Sequence, residues 1–226
     1  MIRRKGAGRT AAGRGRLSLE TLEPREVPTV VGGLDPSFST DGKVTVNFGD
    51  DDRVNAVAVQ PDGKIVAVGS WDGTRSDFAI ARFNPDGTPD TTFGGAGGGF
   101  APGSGKANVF FGASIGSGQE FATSVAIQPD GKIVVAGYSN INTPGGQNDF
   151  AIARLTADGT ALDNTFGPAS DGKITINWGA DDKASGVALR PDGRIVVVGS
   201  WTGLHSDFAI AQLTPDGKLD TTFGGG

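Results

Sequence analysis

Aspartate and histidine are the side chains of this sequence best suited to chemistry. The chain has 21 aspartates, four glutamates, one histidine, His205, and no cysteine. These counts exclude cysteine nucleophiles, disulfide bonds and zinc sites made of thiolates or of two imidazoles. A Ser-His-Asp triad would depend on His205, whose place is taken by Arg75 in an earlier, similar segment. The sequence therefore predicts that the protein is not an enzyme.

Two runs of adjacent aspartates are candidate metal ligands. They are Asp50, Asp51 and Asp52, and Asp181 and Asp182. Clustered carboxylates in a loop are ligands that Ca²⁺ prefers, although their spacing matches no EF-hand loop. The alternative interpretation is that both runs are solvated acidic loops. Calcium is thus the one cofactor that the sequence leaves open, and we expect no other.

Three aromatic residues are candidate ligand-binding residues. Trp71, Tyr138 and Trp201 follow similar apolar runs and are expected at one equivalent position. A set of such rings at the mouth of a repeat structure could stack on sugars or peptides. The alternative is that the rings cover the contact between neighbouring repeats.

Three motifs recur along the chain and indicate internal repeats. Gln-Pro-Asp-Gly-Lys-Ile-Val, or a close variant, occupies residues 60–66, 128–134 and 190–196. Asp-Phe-Ala-Ile-Ala-Arg occupies residues 77–82, 149–154 and 207–212, with Gln212 in place of Arg. A Leu-Asp-x-x-Phe box lies at residues 34–38, 89–93, 162–166 and 219–223, with Pro89 in place of Leu. Together the motifs divide residues 33–226 into three repeats, at about 34–88, 89–161 and 162–226.

Turn signals separate four predicted strands in the first repeat, at residues 43–48, 54–60, 64–71 and 77–84. Pro61-Asp62-Gly63 combines a fixed φ, a side chain that bonds its own backbone and a residue that tolerates positive φ, as a tight hairpin requires. The excess of aspartate over glutamate also favours turns over helices. We therefore expect an all-β protein.

The apolar pattern of the strands predicts how the sheets stack. Residues 43–48 alternate apolar and polar, whereas residues 65–68 are apolar on both faces. Sheets covered on both faces fit four-stranded antiparallel blades packed face to face, as in a β-propeller. Because a closed propeller needs about four to eight blades, three repeats predict an open arc or half of a closed ring. The uncovered sheet faces would then favour association.

The three motifs together resemble the delta-60 repeat, a bacterial repeat marked by these boxes, and the resemblance covers residues 34–226. It implies a β-propeller-like region of a large extracellular protein and carries no catalytic residues. We therefore expect a structural or interaction scaffold that binds a protein or cell-surface partner, or a second copy of itself. The alternative is a ligand-binding propeller module that takes a carbohydrate or depends on calcium.

Residues 1–32 form a basic leader, which we expect to be disordered. Seven of the 20 Lys and Arg residues fall within residues 1–26, whereas the whole chain carries a net charge of −5. The stretch 16–28 contains Leu22-Glu23-Pro24-Arg25 and resembles the Leu-Glu-Pro-Arg type N-terminal segment of bacterial surface proteins, which implies export. The acidic remainder argues against a nucleic-acid partner, and no apolar run is long enough to span a membrane.

Overall fold

A computed structural model describes residues 33–49, 51–72, 76–112, 118–141 and 146–225. Leu34–Gly226 forms one compact unit. The predicted leader and Asp50 lie outside the described residues. Among the residues that are described, no helix is long and apolar enough to cross a membrane.

The described chain is almost entirely β-structure. Its elements are β1 Asp51–Val59, β2 Ile65–Asp72, β3 Ser76–Phe83, β4 Lys106–Val109, β5 Glu120–Ile127, β6 Ile133–Ser139, β7 Asp149–Leu155, β8 Lys173–Ile176, β9 Asp181–Leu189, β10 Ile195–Thr202, β11 Ser206–Leu213 and a short 3-10 turn, Phe223–Gly225. The all-β prediction is confirmed.

The strands form three antiparallel sheets, each following the order of the chain. The first sheet is β1-β2-β3-β4, the second is β5-β6-β7-β8, and the third is β9-β10-β11. This arrangement of propeller-like blades is open rather than closed, as the sequence predicts. The third sheet differs from the other two because β11 has no fourth strand beside it within the described chain.

The Pro-Asp-Gly motif builds the hairpin between the first two strands of each sheet. The Gly63 N–H donates to the Gln60 carbonyl over 2.9 Å, at a φ of +83° that disfavours other residues. Asp62 Oδ1 accepts the Lys64 N–H at 3.1 Å, and Asp130 and Asp192 make the equivalent bond. The same local chemistry therefore starts all three sheets in the same register.

A glycine in the second strand of each sheet allows a bulge in the first strand. A Cβ atom at Gly137 would lie 1.9 Å from the Phe121 carbonyl oxygen, and one at Gly69 would lie 1.7 Å from that of Arg53. The strand register shifts beside both glycines, and beside Gly199 in the third sheet. Glycine is thus required there because the neighbouring backbone approaches closely.

Successive sheets meet through their first strands. The Asn55 side-chain amide donates to the Ala122 carbonyl over 2.8 Å, which joins β1 to β5. The Thr123 hydroxyl donates to the Ala184 carbonyl over 2.8 Å, which joins β5 to β9. Apolar side chains fill the space between the sheets, so the second sheet is covered on both faces.

The predicted order of strands within a blade is wrong in one respect. The alternating pattern of residues 43–48, and of the equivalent residues 173–178, predicts the first strand of a blade. Instead, β8 pairs with β7 as the last strand of the preceding sheet, and β4 pairs with β3 in the same way. The error arises because each predicted repeat, as bounded from the sequence, includes the last strand of one sheet and the first strands of the next. Residues 43–48 have no strand partner among the described residues.

Candidate functional site

Two of the predicted calcium ligands, Asp52 and Asp182, lie near the start of the first strand of a sheet. Asp52 Oδ2 accepts the Phe48 N–H, and Asp182 Oδ2 accepts the Trp178 N–H, each at 2.8 Å. Glu120 Oε1 accepts the Phe111 N–H at 2.7 Å in the second repeat. Each of these three carboxylates joins the first strand of a sheet to the segment that precedes it in the chain. The sequence does not reveal Glu120 as an equivalent because the loop before it is longer.

Burial changes the acidity of the aspartates at the junction of the second and third sheets. Burial raises the pKa of Asp182, and the nearby Asp181 charge adds to the effect. Burial also raises the pKa of Asp149, and the charge of Asp182 raises it further against a hydrogen bond from Asn177. The pKa of Asp181 is lowered instead. Burial acts to raise it, but hydrogen bonds from Lys183 and Asn148 outweigh the burial and lower it.

Within the described residues, no group of three or more acidic or histidine side chains is arranged to hold a metal ion. Asp51 is exposed at the start of β1, and Asp50 lies outside the described part of the chain. Asp181 Oδ1 accepts the Asn148 backbone N–H at 3.0 Å. Calcium binding by these aspartates stays one of the two interpretations that the sequence leaves open.

The three candidate aromatic residues do not share one position. Trp71 lies opposite Asp77, and Trp201 lies opposite Asp207. Tyr138, in contrast, lies opposite Phe150 and is one residue out of register. Because successive side chains point to opposite faces of a strand, the Tyr138 ring lies on the other face. The predicted equivalence is therefore wrong for Tyr138.

Each of these rings is half-buried against its neighbours. Trp71 lies beside Phe100, with ring centroids 5.9 Å apart. Tyr138 stacks on Phe121 at 5.1 Å, and the Lys183 ammonium lies 5.5 Å from the Tyr138 ring centre. Trp201 packs against the apolar cluster between the second and third sheets. Such packing fits the alternative interpretation, that the rings cover contacts between repeats, and ligand binding by the three residues stays a prediction.

A buried ion pair joins two of the repeat motifs. Arg82 Nε lies 2.6 Å from Asp90 Oδ2, and Arg154 Nε lies 2.8 Å from Asp163 Oδ2. Each guanidinium also bonds a carbonyl in the next sheet's turn, that of Ala157 for Arg82 and that of Pro215, at 2.6 Å, for Arg154. This pairing of the Leu-Asp-x-x-Phe aspartate with the Phe-Ala-Ile-Ala-Arg arginine was not predicted. Its signal in the sequence is that both residues recur in step.

The contact between the second and third sheets shows what a complete junction contains. We call this contact the internal seam. The second sheet contributes Phe150, Ile152, Ile174 and Ile176, and the third contributes Ala184, Ile195, Val197, Ala209, Ala211 and Leu213. All of these side chains are at most 9% exposed. Because Val134 and Ala136 of β6 also belong to this cluster, a seam needs the last three strands of one sheet and the opposing face of the next.

The open face of the first sheet is half of such a seam. Phe48, Ala79, Ala81 and Phe83 form a small buried cluster, with Val44 and Val46 packed against it. Beside the cluster lies a groove of about 390 Å³ between residues 44–48 and β1–β3. Val54 on β1 is 64% exposed, whereas Ala122 and Ala184 at the equivalent positions are completely buried. Among the residues that the structure describes, no preceding blade covers Val54.

The third sheet carries the other half of a seam. Phe208 is 98% exposed and Ile210 is 51% exposed, although the equivalent Phe150 and Ile152 are completely buried. Val198 on the neighbouring strand β10 is 39% exposed on this open side. The free edge of β11 and this apolar face together form the strongest candidate interaction surface of the described chain.

Comparison with known proteins agrees with this architecture. A family model described as "Domain of unknown function (DUF5122) beta-propeller" matches residues 60–93, 128–166 and 190–223. A second model, described as "WD domain, G-beta repeat", matches residues 42–74. No curated protein matches the chain. The matched segments fall in each of the three sheets, and both descriptions agree with a fold of β-propeller-like repeats.

Proposed function

We propose that this protein is a non-catalytic scaffold that binds through its two open ends and associates with itself to complete a ring. The observation that carries the proposal is the exposure of Phe208, at 98%, where the equivalent Phe150 is completely buried. Burying a phenylalanine side chain contributes about 1.5–3 kcal/mol. A partner that covers this open end therefore lowers the free energy of the folded chain.

The two ends have complementary requirements. The third sheet exposes large side chains at Phe208 and Ile210, and the first sheet presents a groove lined partly by Ala67, Ala79 and Ala81. The internal seam brings together the same kinds of side chain, large ones from one sheet and alanines from the next. Such head-to-tail contacts close into a ring when the rotation allows it. Propeller repeats in general serve as interaction scaffolds, which supports the same conclusion.

The proposal also places the protein outside the cell or at the bacterial cell surface. Its support is the resemblance of the chain to the delta-60 repeat and of residues 16–28 to the leader of bacterial surface proteins. The test is to fractionate cells that express the full chain and to detect the protein in each fraction. Recovery from the medium or cell surface is expected, and retention in the cytoplasm contradicts the assignment.

Light scattering behind a sizing column tests the scaffold proposal. The full chain has a mass of 22.9 kDa, and a folded β-protein of about twice that mass is expected at micromolar concentration. Far-UV circular dichroism on the same peak confirms that the associating species is folded. A folded species of 22.9 kDa at every concentration would contradict self-association and leave only a different partner.

A further inference from the structure

We propose that residues 43–46 of one copy of the chain form the fourth strand of the third sheet of a second copy, with Thr45 opposite Ala209. The inference rests on the proposed self-association and specifies its chemistry. The recognised partner is a second copy of this chain, and the contact is an antiparallel strand pairing. Two such exchanges would join six sheets, a number within the range of about four to eight found in closed propellers.

The segment 43–46 has the sequence of a fourth strand. Lys43-Val44-Thr45-Val46 corresponds residue by residue to Lys173-Ile174-Thr175-Ile176, which is β8. The turn before it joins the same two residue types but is two residues shorter: the Gly42 N–H donates to the Phe38 carbonyl over 2.7 Å, and the Gly172 N–H donates to the Phe166 carbonyl over 2.9 Å. The segment is therefore built like β8, although no strand of the described chain pairs with it.

The two complete sheets fix the register of the exchange. In the second sheet, Ala151 lies opposite Thr175 and Ile152 lies opposite Ile174. In the first sheet, Ala79 and Ile80 lie opposite Asn108 and Ala107. Because β11 carries the same Phe-Ala-Ile-Ala sequence, the register transfers to it directly. Ala209 would then lie opposite Thr45 of the second copy, and Ile210 opposite Val44.

The same exchange fills both half-seams. Val44 and Val46 already pack on the open face of the first sheet, as Ile174 and Ile176 pack on the third sheet. When β11 of another copy pairs with this segment, Phe208 and Ile210 enter the groove beside Ala79 and Ala81. Strand pairing and apolar burial therefore support the same geometry. An unrelated partner would have to supply both the paired strand and the apolar side chains that fill the groove.

A lysine contact provides an independent indication. The Lys173 ammonium donates to the Phe110 carbonyl over 3.0 Å, and the Lys106 ammonium donates to the Asn47 carbonyl. In each case the lysine that begins one fourth strand reaches the end of the fourth-strand segment one blade earlier. Lys43 begins the segment 43–46 and makes no such contact with the described residues of its own chain. In the exchanged pair it would reach the Asn177 carbonyl of the second copy, beside the half-exposed Trp178 ring.

Engineered disulfides test this register directly, because the chain has no native cysteine. Residues directly opposite each other in an antiparallel pair lie close enough for a disulfide. The test variant carries Thr45→Cys and Ala209→Cys in the full chain. The matched control carries Thr175→Cys and Ala151→Cys, the same residue types opposite each other within one chain. A register control carries Asn47→Cys and Ala209→Cys, which the proposed pairing separates by two residues.

The expected result on a non-reducing gel is a disulfide-linked dimer for the test variant, an intrachain disulfide for the matched control, and at least tenfold less dimer for the register control. Mixing the Thr45→Cys and Ala209→Cys single variants should give a mixed dimer. Dimers from the Thr45→Cys variant alone, or equal yields in both registers, overturn the proposed pairing. A matched control that cross-links beside an uncross-linked test variant overturns the strand exchange only. If the matched control forms no intrachain disulfide, the pairing of β7 with β8 is wrong. The scaffold proposal, which depends on that sheet, then fails as well.

Discussion

Phe150 and Phe208 occupy the same position in successive sheets, but one is completely buried and the other is 98% exposed. Phe150 is covered by the fourth strand β8 and by the following sheet, as Ile176 opposite it shows. Phe208 has neither cover within the described chain. The difference locates the open end of the molecule at a single side chain.

Substitution of these two phenylalanines by alanine should affect different properties, the stability of the fold for Phe150 and association for Phe208. Phe150→Ala should destabilise the fold by about 3–5 kcal/mol, because it leaves a cavity in the internal seam. Phe208→Ala should leave the folding of one chain unchanged and abolish association. Chemical denaturation and light scattering on both variants check the prediction. The account is wrong at this point if Phe208→Ala associates as tightly as the unsubstituted chain.

The buried ion pair of Arg154 and Asp163 should tolerate glutamine better than alanine. The third sheet has Gln212 at the arginine position, where its amide Nε2 donates to Asp220 over 2.8 Å. Arg154→Ala removes one charged donor from the buried Asp163 carboxylate, which keeps the Lys132 ammonium at 3.0 Å, so we expect a cost of about 1.5–3 kcal/mol. Arg154→Gln should cost clearly less, as measured by urea denaturation. Lys218→Ala, which removes only an exposed pair with Asp216, is the control and should change stability by less than about 1 kcal/mol.

The acidic junction should make Asp182→Asn stabilising at neutral pH. Burial raises the pKa of Asp182 and of Asp149 in the folded chain, so these groups bind protons more tightly there than in the unfolded chain. Their contribution to stability therefore falls as the pH rises from about 4 through the raised folded pKa values. The asparagine keeps an acceptor for the Trp178 N–H and removes the charge.

We therefore expect Asp182→Asn to raise the Tm by about 2–4 °C at pH 7, which corresponds to about 1 kcal/mol for a chain of this size. The gain should disappear below pH 4, where the wild-type carboxyl is protonated. Asp182→Ala is the control, because it removes both charge and acceptor. An unchanged Tm difference across the pH range would show that charge is not the cause.

Calcium should leave the stability of the chain unchanged. The prediction follows from the contacts of Asp52 and Asp182, whose Oδ2 atoms accept backbone N–H groups. The measurement is the Tm in millimolar CaCl₂ against millimolar MgCl₂. A rise of several degrees with calcium alone, lost in Asp182→Asn, would instead favour the calcium-dependent module.

The repeat motifs were enough to predict the all-β fold and the open arrangement. Pro61-Asp62-Gly63 dictates its hairpin locally, so the turns could be placed from the sequence alone. The place of residues 43–48 in a sheet could not be predicted from the sequence. Their pattern fits the first strand of one sheet and the last strand of another equally well. Pairing with β7 or β3 is a tertiary choice that depends on the neighbouring Phe-Ala-Ile-Ala strand.

The candidate sites were harder to predict than the fold. Tyr138 falls one residue from Trp71 and Trp201 in register, and a shift of one residue reverses the face of a strand. Glu120 was missed because an insertion hides its equivalence to Asp52. The exposure of Phe208 depends on which strand is absent beside it, and β7 and β11 share the same Phe-Ala-Ile-Ala sequence.

Hydrogen exchange at the amides of β11 tests the strand exchange most directly. The Arg154 N–H donates to the Gly172 carbonyl over 2.9 Å, across the edge that β8 covers. The Gln212 N–H holds the equivalent position on the free edge of β11.

If Gly42 and residues 43–46 of a second copy cover this edge, the amides of Phe208, Ile210 and Gln212 should gain protection as the chain concentration rises. They should approach the protection of Phe150, Ile152 and Arg154. Fast exchange of the β11 amides at every concentration, in a chain whose β7 amides stay protected, would contradict the account.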